Sequence, residues 1–405
     1  MKVSVVRKID YWLGVPVCFL LTLLHYILKL NFFRRKSAAA PKKFLFIELS
    51  EMGSAILAYP AMRYVKDNYP EAELFFMIFK KNRASVDITN IVPKENVLVV
   101  SDQSLFSFFK DVLKNIFRML KEKIDVTFDL EFFARSTAIL TYLSGAPKRV
   151  GFYKYHMEGL YRGDFFTHKI QYNFQQHISK TFLSLPKAAH DDFKNYPTME
   201  AKILDSEIVT ANYKSAPADI DNIWRKLKAI NPEINDSHKL IILNVGAGEI
   251  PIRGWSKENY ISLGEKILAD SNNYIIITSG KADREICRQV CEALDNPRCL
   301  DLIAKTNFTE LIDLYNIADV LVTNDSGPAH FASLTPIKNF VFFGPETPKL
   351  YAPLGKNTHI FYSDFPCSPC LSAFNHRHTS CKDNKCLLVI SVEEVYQAVT
   401  KELAE

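Results

Sequence analysis

The sequence lacks the patterns that mark several non-globular classes of protein. Only 14 of its 405 residues are glycine and 19 are proline, which excludes collagen-like and low-complexity chains. The chain also lacks a large excess of either charge, since 50 Lys and Arg are nearly balanced by 45 Asp and Glu, for a net charge of +5. No long basic block or basic–aromatic repeat occurs, so we expect no nucleic-acid partner. With 48% hydrophobic residues, the chain is instead suited to two or three globular domains.

A disulfide scaffold is not expected, because a chain of this length can build a full hydrophobic core. Four cysteines stand in apolar contexts and predict reduced core thiols: Cys18, Cys287, Cys291 and Cys299. The other four are spaced C-x2-C-x10-C-x4-C around two histidines: Cys367, Cys370, Cys381 and Cys386. This spacing predicts a structural zinc site, with free thiols or two disulfides as the alternatives. Four thiolates leave no open position, so a catalytic zinc is not expected.

The N-terminal segment carries an uncharged, apolar run from Tyr11 to Leu28. As a helix it spans about 27 Å, just short of a bilayer core of about 30 Å. Three alternatives follow: a single-span anchor, a peripheral helix in the membrane interface, or a helix packed on the protein itself. The heavier basic flank (Lys29, Arg34, Arg35, Lys36) follows the run, so both membrane alternatives leave the bulk of the chain on the cytoplasmic side.

From Lys43 onward, apolar strands alternate with helices in two series, the rhythm of doubly wound parallel sheets. The first series has strands at 44–49, 74–79, 97–100, 126–130 and 149–152, with helices near 54–68, 104–121 and 134–144. Residues 155–237 are polar and irregular and contain one helix near 220–229. The second series has strands at 240–245, 274–278, 299–302, 320–323 and 340–343, with helices starting near Ser256, Lys281 and Asn307.

These patterns predict an α/β protein with three segments. Residues 1–40 form a hydrophobic helix and a basic linker, and residues 41–220 form a Rossmann-like domain. Residues 221–405 form a second Rossmann-like domain with a cysteine-rich loop at 367–386. We expect the two domains to face a cleft, with ligands beyond the carboxyl ends of the strands.

The loop after the first strand contains candidate catalytic residues, Glu51 and Ser54, around a tight turn at Gly53. A carboxylate at this place would serve as a general base. The alternative is a strand–helix turn in which Glu51 is solvated or caps the helix. At the fourth strand, Glu131 and Arg135 are candidates for acceptor binding, and an interstrand salt bridge is the alternative.

Two loops of the second domain suit a phosphorylated ligand. After strand 240–245, Gly246 and Gly248 allow close backbone approach, Arg253 supplies a cation, and Trp255 is expected as a packing anchor. The spacing is not G-x-G-x-x-G, which disfavours nicotinamide or flavin chemistry.

After strand 320–323 comes Asp325-Ser326-Gly327-Pro328-Ala329-His330. Asp325 or Ser326 would cap the next helix, the Ser326 and Gly327 amides would cradle a phosphate without a metal, and His330 would reach the same ligand. The alternative is a well-capped structural helix. Gly344–Pro348, after the next strand, would close the cleft wall.

These segments together resemble glycosyltransferase family 9, the lipopolysaccharide heptosyltransferases. The similarity rests on 44–60, 144–152, 244–255, 323–330, 343–348 and 367–370, and it covers most of residues 43–400. The resemblance implies a GT-B fold with an N-terminal acceptor domain and a C-terminal nucleotide-sugar domain. It also implies inverting transfer, with no cofactor required for catalysis, from a donor of the ADP-heptose type to a lipid-linked saccharide. The donor-site residues it implies are Arg253, Asp325, Ser326, Gly327 and His330, and Gly246 is added to them from its place after strand 240–245.

One departure from the family pattern changes the expected chemistry. The family typically has Met/Leu-Gly-Asp in the first loop, where this chain has Met52-Gly53-Ser54, and Glu48 replaces a typical lysine. A serine hydroxyl does not take up a proton at neutral pH, so we expect Glu51 to act as the base. The alternative is an enzyme that is impaired or altered in substrate. Two other functions are a nucleotide-sugar epimerase or hydrolase of the same fold, and a non-catalytic membrane-associated scaffold.

Overall fold

Each half of the chain builds one parallel β-sheet of six strands. The computed structural model describes residues 3–30, 40–153, 161–192, 202–248, 250–375 and 377–404. The chain divides into two units, Met1–Val209 and Thr210–Glu405. The predicted basic linker at 34–36 lies outside the described residues.

The sheet of the first unit has the order β3-β2-β1-β4-β5-β6. Its strands are β1 (Lys43–Ile47), β2 (Glu73–Phe79), β3 (Val97–Val100), β4 (Val126–Asp129), β5 (Lys148–Tyr153) and β6 (His168–Gln171). The central strands are almost fully buried because helices cover both faces of the sheet. Their continuous apolar runs are the reason that the sequence predicts them.

Eight α-helices are described in the first unit. They are α1 (Val3–Trp12), α2 (Gly14–Leu30), α3 (Met52–Leu57), α4 (Tyr59–Asn68), α5 (Ala84–Asp87), α6 (Leu105–Glu122), α7 (Arg135–Leu143) and α8 (Ile178–His190). The single helix expected at 54–68 is two helices, α3 and α4, which meet at Ala58 just before Pro60.

The second unit repeats the architecture with the order β12-β11-β10-β7-β8-β9. Its strands are β7 (Lys239–Asn244), β8 (Asn273–Ser279), β9 (Cys299–Ile303), β10 (Val320–Asn324), β11 (Lys338–Phe343) and β12 (Thr358–Tyr362). Its helices are α9 (Pro217–Ile230), α10 (Lys257–Leu268), α11 (Arg284–Leu294), α12 (Phe308–Ile317), α13 (Gly327–Ala332), α14 (Pro348–Tyr351), α15 (Lys385–Leu388) and α16 (Val392–Leu403). Asn307 and Glu310 form the predicted capping box of α12.

Both sheets therefore follow the Rossmann order 3-2-1-4-5-6, counted from the first strand of each unit. In this order successive strands are added to one side of the first strand and then, from the fourth strand onward, to its other side. The switch point therefore lies between β1 and β4 in one unit and between β7 and β10 in the other. β1 pairs with β4, and β7 pairs with β10, in parallel register. Ligands of such sheets bind beyond the carboxyl ends of these two strands, so the loops after them are where a site is expected.

The N-terminal helices lie against the first unit along one face. Cys18 is buried beside Phe165 and Phe166, and Thr22 accepts a hydrogen bond from the backbone N of Asp164 at 2.9 Å. Tyr26 donates to Asp164 at 2.5 Å. The other faces are exposed: Lys8–Leu28 has a mean hydropathy of 1.8 and is long enough to cross a membrane, and 11% of its most apolar window is buried.

Candidate functional site

Arg253, Asp325 and Glu346 come together at the carboxyl end of the second sheet. Arg253 lies in a 3₁₀ turn after β7, Asp325 follows β10, and Glu346 follows β11. These three strands are neighbours in the sheet, so their loops meet at one edge. Arg253 forms an ion pair with Glu346, and its Nε lies 3.5 Å from Oδ2 of Asp325.

Glu346 holds a second cation that the sequence did not single out. The Nε of Arg377 donates to Oε1 of Glu346 at 3.2 Å, and its guanidinium lies 5.5 Å from the ring centre of Tyr351. The Glu346 carboxylate is 2% exposed and bridges the two arginines. Burial raises the pKa of Asp325, and the neighbouring Arg253 opposes that shift. Two planar guanidinium groups placed together suit the oxygens of a diphosphate.

Two asparagines fix the loop that carries Arg253: Asn324, which is buried, and Asn384, which is half-buried. Asn324, at the end of β10, donates to the carbonyl oxygens of Val245 and Gly246 at 2.9 and 3.0 Å and accepts from the Trp255 backbone N at 2.9 Å. Asn384 donates to the carbonyl oxygens on either side of Arg253, those of Ile252 and Gly254, at 3.1 and 2.6 Å. The position of Arg253 is therefore set from both ends of its turn.

Trp255 is a packing anchor, as the sequence predicts. Its ring is 1% exposed and stacks on Phe342 with the centroids 4.5 Å apart. The indole N–H donates to the carbonyl oxygen of Ile390 at 3.1 Å. The ring thus fixes the loop after Arg253 and presents no face to a ligand.

Gly246 is required by the close approach of Asp283. A Cβ at Gly246 would collide with the Asp283 carboxylate, whose oxygens accept from the Gly248 backbone N at 3.1 and 3.3 Å. Gly248 has φ +64°, in the left-handed region that glycine adopts readily. Asp283 thus holds the glycine turn that the sequence assigns to donor binding.

The Asp325–His330 motif lies at the start of α13, as expected, but its capping differs from the prediction. Ser326 occupies the N-cap position without a side-chain capping bond, because its hydroxyl donates to the Asn324 carbonyl oxygen at 3.2 Å. Asp325 is turned toward Arg253 instead. α13 has only six residues and therefore a short dipole, so the predicted phosphate cradle depends mainly on the Ser326 and Gly327 amides. His330 is buried within this helix.

In the first unit, Glu131 and Asn82 clamp the loop that carries Glu51. Glu131 accepts from the backbone N of Leu49 and of Ser50, both at 3.1 Å, and from the Ser50 hydroxyl at 2.7 Å. Asn82 donates to the carbonyl oxygens of the same two residues at 3.1 and 2.9 Å. Both the N–H groups and the carbonyl oxygens of the two residues before Glu51 are therefore hydrogen-bonded. Through Glu131, this clamp joins the end of β1 to the end of β4.

Glu51 and Ser54 are neighbours at the start of α3. Both are half-buried, and the Ser54 hydroxyl donates to Oε2 of Glu51 at 3.4 Å. Glu51 occupies the N-cap position of α3 but makes no capping bond there. The capping alternative for Glu51 is therefore not realised, and Ser54 helps to orient the carboxylate.

Arg135 lies in a structural environment. Its side chain is buried, with Nε donating to the Tyr161 carbonyl oxygen at 2.9 Å and Nη1 lying 3.4 Å from Asp10 of α1. Contact between Arg135 and an acceptor would require these bonds to break. The salt bridge at the end of β4 joins Asp129 to Arg162, and burial raises the pKa of Asp129 to about 6.

The structure does not support the predicted zinc site. The described residues include no group of three or more His, Cys, Asp or Glu side chains placed to hold a metal, and the eight cysteines are free thiols. Cys386 is buried in the core around Trp255, and the Cys381 thiol donates to the Asp383 carbonyl oxygen at 2.9 Å. Cys367 is exposed. Burial raises the pKa of the Cys386 thiol to about 11, and Cys370, Cys367 and Cys381 lie close enough to raise it further. The four thiols are therefore near one another, but among the described residues they do not form a set of metal ligands.

Comparison with known proteins identifies relatives that match most of the chain. The model of glycosyltransferase family 9 (heptosyltransferase) matches residues 113–379. Lipooligosaccharide heptosyltransferase 2 of Campylobacter jejuni serotype O:6 is 23% identical over 366 residues, which cover 88% of this chain and 98% of that protein.

Solved structures share the fold. The Escherichia coli ADP-heptose lps heptosyltransferase II superposes with a TM-score of 0.69 at 16% identity, covering 89% of this chain and 98% of that one. A family 9 glycosyltransferase from Veillonella parvula gives a TM-score of 0.71 at 16% identity and covers 90% of this chain and 97% of that one. The predicted fold of two Rossmann-like domains is thereby confirmed.

Proposed function

The chain belongs to glycosyltransferase family 9, and we propose that it transfers a heptose-like sugar from a nucleotide donor of the ADP-heptose type to a lipid-linked saccharide such as a lipopolysaccharide core. The observation that carries this proposal is the pair of arginines, Arg253 and Arg377, bridged by Glu346 beside Asp325. The names of the relatives, which are heptosyltransferases for lipooligosaccharide, support this choice of sugar and acceptor.

The donor is bound through its diphosphate in the second unit. Arg253 and Arg377 contact the phosphate oxygens, and the Ser326 and Gly327 amides add neutral N–H donors at the start of α13. As the bond from the anomeric carbon to the phosphate oxygen breaks, negative charge grows on the departing nucleoside diphosphate. Fixed guanidinium groups stabilise that charge with little reorganisation, and no step is assigned to a metal ion.

Glu51 is the base in this proposal. It accepts the proton of the acceptor hydroxyl as the hydroxyl oxygen attacks the anomeric carbon from the face opposite the leaving group, which inverts the configuration. The Ser54 hydroxyl and the Glu131–Asn82 clamp orient Glu51. Glu131 thus acts as a positioning residue, while direct contact of Glu131 and Arg135 with the acceptor stays a prediction.

We propose that the enzyme works on the cytoplasmic face of the inner membrane and that its N-terminal helices hold it there. Because α2 lies along α7 and bonds to Asp164 through Thr22 and Tyr26, a spanning orientation would carry these polar contacts toward lipid. We therefore favour an interfacial helix whose exposed apolar faces enter the headgroup region. A lipid-linked acceptor would be reached from this position.

Turnover of ADP-heptose by the purified full-length protein tests the function. We expect ADP to be released with a lipopolysaccharide-core acceptor, to be absent without acceptor, and to be unaffected by prior dialysis against EDTA. Release of ADP or an altered sugar without acceptor would identify a hydrolase or an epimerase. Thermal stabilisation by ADP without turnover on any acceptor would favour the scaffold.

A further inference from the structure

Helix α6 is apolar on two of its sides. One side faces the sheet, where Phe108, Val112, Ile116 and Met119 join the core around Leu98 and Val100. The second side points to solvent and carries six large apolar residues, here called the α6 stripe: Leu105, Phe106, Phe109, Leu113, Phe117 and Leu120. One buried face is enough to hold a surface helix to its domain, so the second needs its own explanation.

The α6 stripe is continuous and strongly exposed. Its members recur every three or four residues from 106 to 120, which places them within about 120° of the helix circumference. Phe106 is 81% exposed and Phe117 is 71% exposed. Single exposed apolar residues are common, but a contiguous row that includes three phenylalanines marks an interaction surface.

Basic residues border the α6 stripe. Lys110, Lys114 and Lys121 are exposed and occupy the adjacent sector of the helix, on the side away from the core. The helix thus presents a core face, an apolar face and a basic edge in turn. Aromatic residues beside lysines are typical of helices that lie in the headgroup region of an anionic bilayer.

The α6 stripe belongs to the same layer of helices as the N-terminal apolar segment. Helix α7 contributes Leu140 to the cluster that α6 packs into, and Ala138, Ile139 and Tyr142 to the cluster that contains Cys18 of α2. These two groups of residues project from different sides of α7. α7 is therefore flanked by α6 and by α2, each with exposed apolar side chains.

We propose that the α6 stripe is a second membrane-contact surface, inserted into the interface of an anionic lipid bilayer. Anionic headgroups complement Lys110, Lys114 and Lys121, whereas a second copy of this chain would bring the same cations toward each other. The proposal goes beyond glycosyl transfer, because lipid binding through α6 requires neither donor nor acceptor. With α2, it gives the first unit two apolar contacts, which fix its orientation on the membrane.

Sedimentation of the full-length protein with vesicles tests the proposal. Phe106→Ser/Phe117→Ser should weaken binding to vesicles of phosphatidylcholine and phosphatidylglycerol about tenfold, because two exposed rings no longer insert. Lys110→Gln/Lys114→Gln/Lys121→Gln should lower binding to these vesicles by about fivefold per lysine and leave binding to pure phosphatidylcholine unchanged. Leu388→Ser/Val389→Ser, a matched pair of exposed apolar residues in the second unit, should bind as the wild type does.

Three outcomes would overturn the proposal. The first is wild-type protein that does not sediment with either vesicle, and the second is an α6 stripe variant that binds as tightly as wild type. The third is that the wild type is a dimer and the α6 stripe variant a monomer, while both bind vesicles equally well. That result would assign the surface to self-association. Circular dichroism and unchanged sugar transfer to a water-soluble acceptor establish that the variants are folded. If the wild type itself does not transfer sugar to that acceptor, the result contradicts the proposed function and leaves the lipid-binding proposal unchanged.

Discussion

Arg253 and Arg377 reach the same buried carboxylate from opposite ends of the second unit's sequence. A guanidinium has five N–H donors, so an arginine held by a carboxylate retains donors for phosphate oxygens. Glu346 supplies the fixed point: it is buried, and both arginines contact it. The pair is thus pre-oriented, so the proposed binding of a diphosphate would cost little side-chain entropy.

Arg377→Gln should raise the KM for the nucleotide-sugar donor about tenfold with a smaller change in kcat, because one charge-assisted contact to the diphosphate is lost. Arg253→Gln should lower kcat by about 100-fold or more, since in the proposed mechanism Arg253 stabilises the charge that develops on the leaving group. Steady-state kinetics with varied donor separates the two effects. Arg288→Gln, which removes a surface arginine paired with Glu285 and Glu292, is the control. Equal kinetics for Arg377→Gln and this control would contradict the donor role.

Glu51→Gln should reduce kcat by a factor of about 100 or more, because the amide keeps the size of the side chain but cannot accept the acceptor proton. Ser54→Ala should cost less than about tenfold, since it removes only the 3.4 Å hydrogen bond to Glu51. Single-turnover transfer with saturating donor measures both. Near-normal turnover of Glu51→Gln would show that another group takes the proton.

The central residues of both candidate sites could be predicted from the sequence, but their partners could not. Arg253, Asp325 and Glu51 lie in the loops that follow strands, where short motifs mark them. Arg377 contacts Glu346, which is 31 residues away in the sequence, and Asn384 contacts Gly254, which is 130 residues away. Such contacts depend on the tertiary path of the cysteine-rich loop, which no local pattern encodes. The predicted zinc site is not supported by the structure, because spacing alone does not tell whether the cysteine side chains are oriented as ligands, and no such group occurs among the described residues.

At the scale of elements, helix α1 supplies the N-terminal cap of α7. The Asp10 carboxylate accepts from the Arg135 backbone N at 3.0 and 3.1 Å and from the Ser136 backbone N at 2.8 Å. α7 has no side-chain cap of its own from Ala134. A cap from a distant helix ties the folding of α7 to the docking of the N-terminal segment.

Asp10→Asn should lower the free energy of unfolding by about 1 kcal/mol, because the amide keeps one acceptor but loses the charge that favours a helix N-terminus. Asp67→Asn, which breaks the exposed pair with Arg63, should change it by less than about 0.5 kcal/mol. Thermal unfolding of the two variants beside wild type gives the comparison. An equal effect of the two substitutions would argue against a capping role for Asp10.

Ten of the twelve strands were predicted, and the two that were missed, β6 and β12, are edge strands. β6 reads His-Lys-Ile-Gln with alternating burial, and β12 is only partly buried. A central parallel strand is covered on both faces and is continuously apolar, whereas an edge strand has no such requirement. Helix α8 was missed because Pro186 lies inside it, yet nearly all of its residues are buried, so tertiary packing outweighs the proline.

At the scale of the whole molecule, the same sheet order occurs twice, and each unit places its candidate residues at the same topological position. Glu131 joins the ends of β1 and β4, and Asn324 joins the ends of β7 and β10. In each unit a polar side chain at the end of the fourth strand, or just after it, holds the loop that follows the first strand. The same kind of contact therefore fixes the loop with the candidate residues in both units, although the two loops carry residues of different chemistry.

Extraction of membranes from cells that produce the full-length protein distinguishes the two membrane alternatives for α2. We expect alkaline carbonate to release the protein and high salt alone to release little, because an interfacial helix is held by apolar burial as well as by charge. Leu20→Glu/Leu24→Glu places charges on the exposed side of α2 and should move the protein to the soluble fraction, while Thr22→Ser, which keeps the hydroxyl near Asp164, should not. Retention in carbonate-washed membranes would establish a spanning helix, and a wild-type protein found wholly in the soluble fraction would refute membrane attachment through α2.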